Sequence, residues 1–182
     1  MKKNILLVEY STPAIEIIQK ILHDKVFEFS IARSEETAKD LLKHFTFDLV
    51  ITETLLPKSH GFILSKFVAD NYPSTKIIII SDRLKQADYK HEALKLHGAS
   101  DFFEKPLPEK EFRKRVLEIL KLSEEDLREM NWLADMTTKM HILPTLEELE
   151  AARNKNEKKN PPPPSPEKSG ETDDTVFEID LD

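Results

Sequence analysis

The chain has 182 residues, with 27 lysines and arginines against 34 aspartates and glutamates, for a net charge of −7. That length suits one compact domain with added material. The acidic balance argues against sequence-independent binding to nucleic acid or to anionic membranes, and the lack of cysteine excludes disulfides, a thiol nucleophile and a thiolate metal site.

Met1-Lys2-Lys3-Asn4 leads into only a few apolar residues before Glu9. That run is too short for a signal-peptide core or a membrane span, so a cytoplasmic location is expected. Ile5-Leu6-Leu7-Val8 reads as a buried strand stopped by Glu9 and Tyr10. Ser11-Thr12-Pro13 is a helix start, with a hydroxyl cap and a proline in the first turn. Ile15, Ile18 and Leu22 give that helix an apolar face at 3–4 spacing. Phe27, Phe29 and Ile31 alternate with polar residues, the pattern of a half-exposed edge strand. Ser34 caps a second helix that is expected to aim Ala38, Leu41, Leu42 and Phe45 inward.

Asp48-Leu49-Val50-Ile51-Thr52-Glu53 is the stretch around which the chain is organised. Its apolar, β-branched run suits the centre of a parallel sheet, covered on both faces. Glu53 closes it, at the carboxyl end of a strand, where open α/β sheets bind their ligands. A loop from Pro57 to Gly61 follows. A third helix then carries Leu64, Phe67 and Val68 as its stripe.

Lys76 to Ser81 holds four consecutive isoleucines, the clearest buried-strand signal in the chain. A fourth helix is expected over about 85–97, stopped by Gly98. Asp101-Phe102-Phe103-Glu104 is a short fifth strand before Lys105-Pro106. A fifth helix over about 108–121 buries Phe112, Val116, Ile119 and Leu120. Strands alternating with helices imply an α/β fold with right-handed crossovers and a doubly wound, five-stranded parallel sheet, whose usual order is the flavodoxin-like 2-1-3-4-5.

Past Leu122 the pattern changes. Ser123-Glu124-Glu125-Asp126 fits a capping box opening a sixth helix with Leu127, Met130 and Ala134 at helical spacing. Thr145-Leu146-Glu147-Glu148 fits another, opening a seventh. Pro161 to Pro164 cannot be helix or sheet, and the residues beyond about 153 are too poor in apolar groups to fold alone. The final stretch from Thr175 to Asp182 alternates apolar with acidic residues. The organisation expected is a domain over 1–121, a helical extension over 122–153, and a disordered Pro-rich and acidic tail over 154–182.

In the 2-1-3-4-5 order, the carboxyl ends of adjacent strands deliver Glu9 with Tyr10, Glu53, Ser81 and Lys105 to one crevice. Metal-assisted phosphoryl transfer to a carboxylate needs a carboxylate nucleophile, oxygen ligands for a divalent cation, and a cation to offset phosphoryl charge. At this point the chain resembles the receiver domains of bacterial two-component response regulators. The residues that carry the resemblance are Ile5-Leu6-Leu7-Val8-Glu9, the Asp48 to Glu53 run, Leu56-Pro57 with Gly61, Ile80-Ser81, Gly98-Ala99 and Lys105-Pro106.

The resemblance implies a phosphoacceptor at position 53, an acidic magnesium-holding pair at positions 9 and 10, a switch hydroxyl at Ser81, a switch aromatic at Phe102 and the family's lysine at Lys105. The departures are at the centre of that set. Glu53 stands where the family has aspartate, and Tyr10 stands where it has a second carboxylate, so magnesium binding is expected to be weak or lost. This is the pattern of a pseudo-receiver: an atypical response regulator, not an enzyme, not phosphorylated at the usual site. The alternative is a conventional receiver relaying phosphate from a histidine kinase. A nucleotide-binding or enzymatic α/β domain is disfavoured, because Gly61, Gly98 and Gly170 form no phosphate-cradling loop. A DNA-binding role for the last helices is disfavoured by their acidity.

No helix-turn-helix or catalytic signal follows residue 121, so the expected partners are signalling proteins. These would be a histidine kinase, a downstream effector or a second copy, meeting the face of the fourth helix, fifth strand and fifth helix. No nucleic-acid or membrane partner is expected.

Overall fold

The computed structural model describes residues 2–83 and 87–142. The proposed seventh helix, the proline run and the terminal acidic–apolar segment lie outside the described residues. A compact unit spans Met1–Lys139.

Period-two alternation explains how the sheet is covered on both faces. Strand β1 (Lys3–Val8) sends Ile5 and Leu7 to one side and Leu6 and Val8 to the other. Strand β2 (Phe27–Ala32) pairs with β1, and β3 (Leu49–Glu53) lies along β1's other edge. Strand β3 is buried along its whole length, with Leu49 and Ile51 on the first side and Val50 on the second. Two-residue strands β4 (Leu55–Leu56) and β5 (Ser59–His60) form a small antiparallel hairpin. Strands β6 (Lys76–Ser81) and β7 (Asp101–Glu104) complete the main sheet, whose order is β2-β1-β3-β6-β7 with every pairing parallel. With the hairpin set aside, this is the expected 2-1-3-4-5 order.

Helices α1 (Thr12–Ile21) and α5 (Glu109–Leu120) cover the first side. Helices α2 (Glu35–His44), α3 (Gly61–Asn71) and α4 (Ala87–Leu96) cover the second. Helix α4 ends before Gly98, whose φ of +68° is the left-handed conformation that suits glycine beyond a helix end. Helix α6 (Glu124–Ile142) joins the first side through Leu127, which is buried in the same core as Phe112 and Val116. Its start is a reciprocal capping box: Asp126 N–H donates to Ser123 Oγ at 3.0 Å, and Ser123 N–H donates to Asp126 Oδ2 at 2.7 Å.

Several local expectations change. Phe45 is exposed, because α2 ends at His44 and the extended backbone at Phe45 breaks the helical spacing. Ser11 sits at the start of α1 but makes no side-chain cap; its backbone N–H serves Glu9 instead. Residues 57–61 are not a plain loop: Pro57-Lys58 is the tip of the β4–β5 hairpin, with Lys58 at φ +63°. A proline followed by a positive-φ residue is the backbone pattern of a type II turn. Helix α5 buries Leu117, whereas Ile119 only flanks the core.

Candidate functional site

The pairings that build the sheet also align its carboxyl ends. Val8 is opposite Thr52, Glu53 is opposite Ile80, and Ser81 is opposite Glu104. Beyond the paired residues the ladder continues: Glu9 N–H donates to Ala32 O, Thr54 N–H to Ile80 O, and Lys105 N–H to Ser81 O. Strand alternation assigns Glu9, Glu53 and Lys105 to the α1/α5 side, in step with Leu7, Ile51 and Phe103. It assigns Thr54 and Ser81 to the opposite side, in step with Val50 and Ile79. The site forms where these two rows meet at the rim.

Lys105 Nζ donates to Glu9 Oε2 and to Glu53 Oε2, both at 2.6 Å. The two carboxylates are buried, with side-chain exposures of 0% and 2%. One ammonium therefore serves two buried carboxylates. Burial alone would pull the Lys105 amine down, but its hydrogen bonds to Glu53 and Glu9 outweigh that and hold it above the ordinary lysine value. Glu9 has a further donor in Ser11 N–H at 2.8 Å, at the start of α1, where the positive end of the helix dipole favours an anion.

The other oxygen of Glu53 is held as firmly. Oε1 accepts from Thr54 N–H at 2.7 Å, from Thr54 Oγ1–H at 2.7 Å and from Leu55 N–H at 3.4 Å. Thr54 Oγ1 also lies 2.7 Å from Ser81 Oγ. Gly61 closes the floor. A Cβ there would come within 2.0 Å of Glu53 O, and Gly61 N–H donates to Thr54 O at 2.8 Å.

Glu9, Glu53, Ser81 and Lys105 thus share one network. Tyr10 stands apart: its side chain is 46% exposed, and its carbonyl accepts from Arg33 Nη1 at 2.7 Å. Phe102 is buried in the second core with Val68, Ala93 and Ala99. Sequence reasoning missed Thr54, which looks like a continuation of the apolar strand. The available signal was a hydroxyl immediately after a strand-ending carboxylate, placed by alternation on the same side as Ser81.

Residues 5–117 match the response regulator receiver domain. The chain belongs to that family. This receiver is 27% identical over 128 residues to the response regulator protein PilR of Pseudomonas aeruginosa, covering 70% of this chain and 28% of PilR. It is 28% identical over 127 residues to the transcriptional regulatory protein CpxR of Escherichia coli K12, covering 70% of this chain and 53% of CpxR. The receiver thus spans about a quarter to a half of the length of these curated relatives.

Solved structures agree on the fold. The signal receiver domain of an HD domain-containing protein from Pseudomonas fluorescens Pf-5 aligns with a TM-score of 0.62 at 24% identity, over 66% of this chain and 96% of that one. The receiver domain of a putative LuxO repressor protein from Vibrio parahaemolyticus aligns with a TM-score of 0.62 at 22% identity, over 75% and 98%. Among the described residues no helix is long and apolar enough to cross a membrane.

Proposed function

We propose that this receiver works in two-component signalling without being phosphorylated at residue 53, and that it acts through protein–protein contact. The observation that carries the reading is the double engagement of Lys105 by Glu9 and Glu53. In a phosphorylatable pocket, a lysine must be available to offset phosphoryl charge. Here its ammonium already bridges two carboxylates, and the extra methylene of glutamate carries the Glu53 carboxylate onto it.

The residues present do not fit a magnesium site. A hard divalent cation needs several oxygen ligands, carboxylates above all. Both oxygens of Glu9 and both oxygens of Glu53 already accept hydrogen bonds. Position 10 supplies an exposed phenol in place of a carboxylate. Among the described residues no group of three or more His, Cys, Asp or Glu side chains is placed to hold a metal ion.

Partners on this reading are signalling proteins: a histidine kinase, a downstream effector or a second copy. The contact face is that of α4, β7 and α5. Lys90 on α4 lies 3.2 Å from Asp101 Oδ1 on β7, and Arg115 Nε on α5 lies 2.8 Å from Asp101 Oδ2. This cross-element network gives the face a fixed charge pattern, which supports selection of a partner by complementary charge.

The deciding experiment treats the full chain with acetyl phosphate and magnesium and then measures its intact mass. An unchanged mass is expected. A stable phosphoryl gain mapping to residue 53 overturns the reading.

A further inference from the structure

Four residues close a hydrogen-bonded ring at the carboxyl end of the sheet. Lys105 Nζ donates to Glu53 Oε2; Thr54 Oγ1 donates to Glu53 Oε1; Thr54 Oγ1 and Ser81 Oγ lie 2.7 Å apart; and Lys105 N–H returns to Ser81 O at 2.7 Å. Outside the ring, Arg83 N–H donates to Ser81 Oγ at 3.3 Å. Thr54 is the residue between the carboxylate and the Ser81 hydroxyl, and it is buried.

The chemistry of hydroxyls fixes the direction of the chain. A threonine hydroxyl has one proton to give and lone pairs to receive. A carboxylate oxygen only accepts, so the Thr54 proton goes to Glu53. The short contact between the two hydroxyls must then be filled by the Ser81 proton, given to Thr54 Oγ1. Ser81 Oγ in turn receives from Arg83 N–H. All donors therefore point one way, from the Arg83 amide through Ser81 and Thr54 to Glu53. Aligned donors of this kind polarise one another.

We propose that Thr54 is a positioning residue that couples the Glu53 carboxylate to the loop after β6, holding Ser81 and Arg83 in a single arrangement. A carboxylate at position 53 sets the direction of the chain, and Thr54 carries it across the sheet to the side covered by α4. The proposal deepens the phosphorylation-independent reading, since it names how that site acts on its surroundings. It rests on that reading only in taking residue 53 as an unmodified carboxylate. The two fail separately. A phosphoryl gain at residue 53 defeats the functional reading and leaves the relay intact in the untreated protein. A relay that does not respond to Thr54 fails while the Lys105 ion pair stands.

The test is amide hydrogen exchange by NMR on the full chain, comparing wild type, Thr54→Val and Thr54→Ser. Valine keeps the branched shape and removes the hydroxyl. The Arg83 amide in Thr54→Val is expected to exchange about tenfold faster, the consequence of losing roughly one hydrogen bond within a charged chain. Thr54→Ser is expected to restore the wild-type rate. An Arg83 rate unchanged in Thr54→Val overturns the proposal. Should Thr54→Val not fold, the wild type decides alone: a hydroxyl proton of Thr54 protected from solvent exchange supports the relay, and one that exchanges freely overturns it.

Discussion

Lys105 Nζ lies 2.6 Å from Glu53 Oε2, and 2.6 Å from a second buried carboxylate on Glu9. Removing the ammonium would leave two carboxylates out of water with no counter-ion. Breaking a buried pair in this way is strongly destabilising. Lys105→Met is expected to cost about 3 kcal/mol at pH 7, read from urea unfolding. The pH dependence follows from the direction of the lysine shift. The Lys105 amine is held above its ordinary value of 10.5, so its contribution is fully present below that value. It is lost only as pH rises through the higher folded value. The wild type should therefore lose no stability to deprotonation of Lys105 between pH 6 and pH 9. A wild-type Lys105 ammonium that titrates across the neutral range, read by NMR, defeats this account.

Glu53 uses its full length. One oxygen holds Thr54 and the other holds Lys105. An aspartate on the same backbone cannot span both. Glu53→Asp is expected to lose about 1–3 kcal/mol, the cost of a buried polar group left unsatisfied. The same change shortens the pocket's anion and makes room beside Lys105. Combined with Tyr10→Asp, it supplies a second carboxylate for a divalent cation. The double variant is expected to gain phosphoryl from acetyl phosphate with magnesium, where wild type does not. Intact mass reads both, and a phosphorylated wild type beside an inert double variant would reverse the argument.

Gly61 is needed for space, not for its dihedral angles. Its missing Cβ would sit 2.0 Å from the carbonyl oxygen of Glu53 and 3.0 Å from its carbon. Backbone cannot swing aside as a long side chain can. Gly61→Ala is expected to destabilise by about 1–3 kcal/mol through forced backbone shifts. It should also disturb the Thr54 and Lys105 amide resonances more than those of β2. A melting temperature equal to wild type would show that the floor of the site gives way easily.

Much of this was legible in the sequence, for a physical reason. A strand covered on both faces needs apolar residues at every position, so the unbroken run Ile77, Ile78, Ile79 and Ile80 could be read as a central strand without any partner in view. The parallel sheet followed from the βα alternation, and the usual flavodoxin-like order, taken for it, brought residues 9, 53, 81 and 105 together. What alternation cannot supply is the behaviour of chain that leaves an element. Phe45 fits the α2 stripe by count, yet the helix has ended by then. Thr54 continues β3's apolar run on paper, but its hydroxyl has turned to Glu53. The Asp24 cluster was equally hidden, because Asp24, Arg113, Glu124 and Asn131 are joined only after α5 and α6 fold back toward β2.

That cluster sets an acid limit. Burial pushes the Asp24 carboxyl up, but hydrogen bonds from Arg113 and Asn131, with the charge of Arg113, outweigh it and hold it below its ordinary value of 3.8. A depressed carboxyl contributes stability that is present above the ordinary value and lost as pH falls through the folded one. Asp24→Asn should therefore be less stable than wild type at pH 7. The gap should narrow once pH drops below about 3.8, where the unfolded chain's Asp24 takes up its proton before the folded one does. Denaturant midpoints at pH 7 and pH 3 give the comparison, and a gap equal at both values counts against the cluster's charge.

Helix α6 carries both an anchor and a reporter. Leu127 is buried in the core with Phe112 and Val116, while Trp132, the chain's single tryptophan, is largely exposed further along the same helix. Truncating a buried leucine removes its transfer free energy and leaves a cavity, so Leu127→Ala is expected to cost about 2–5 kcal/mol. The tryptophan tells whether that cost falls on the domain or only on the helix. If α6 is part of the cooperative unit, unfolding followed by Trp132 fluorescence and by far-ultraviolet circular dichroism should coincide in the wild type. They should also coincide in Leu127→Ala, at a lower midpoint. A fluorescence transition that precedes the other would mean that α6 detaches while the sheet remains folded, and that Leu127 anchors a helix the domain does not need.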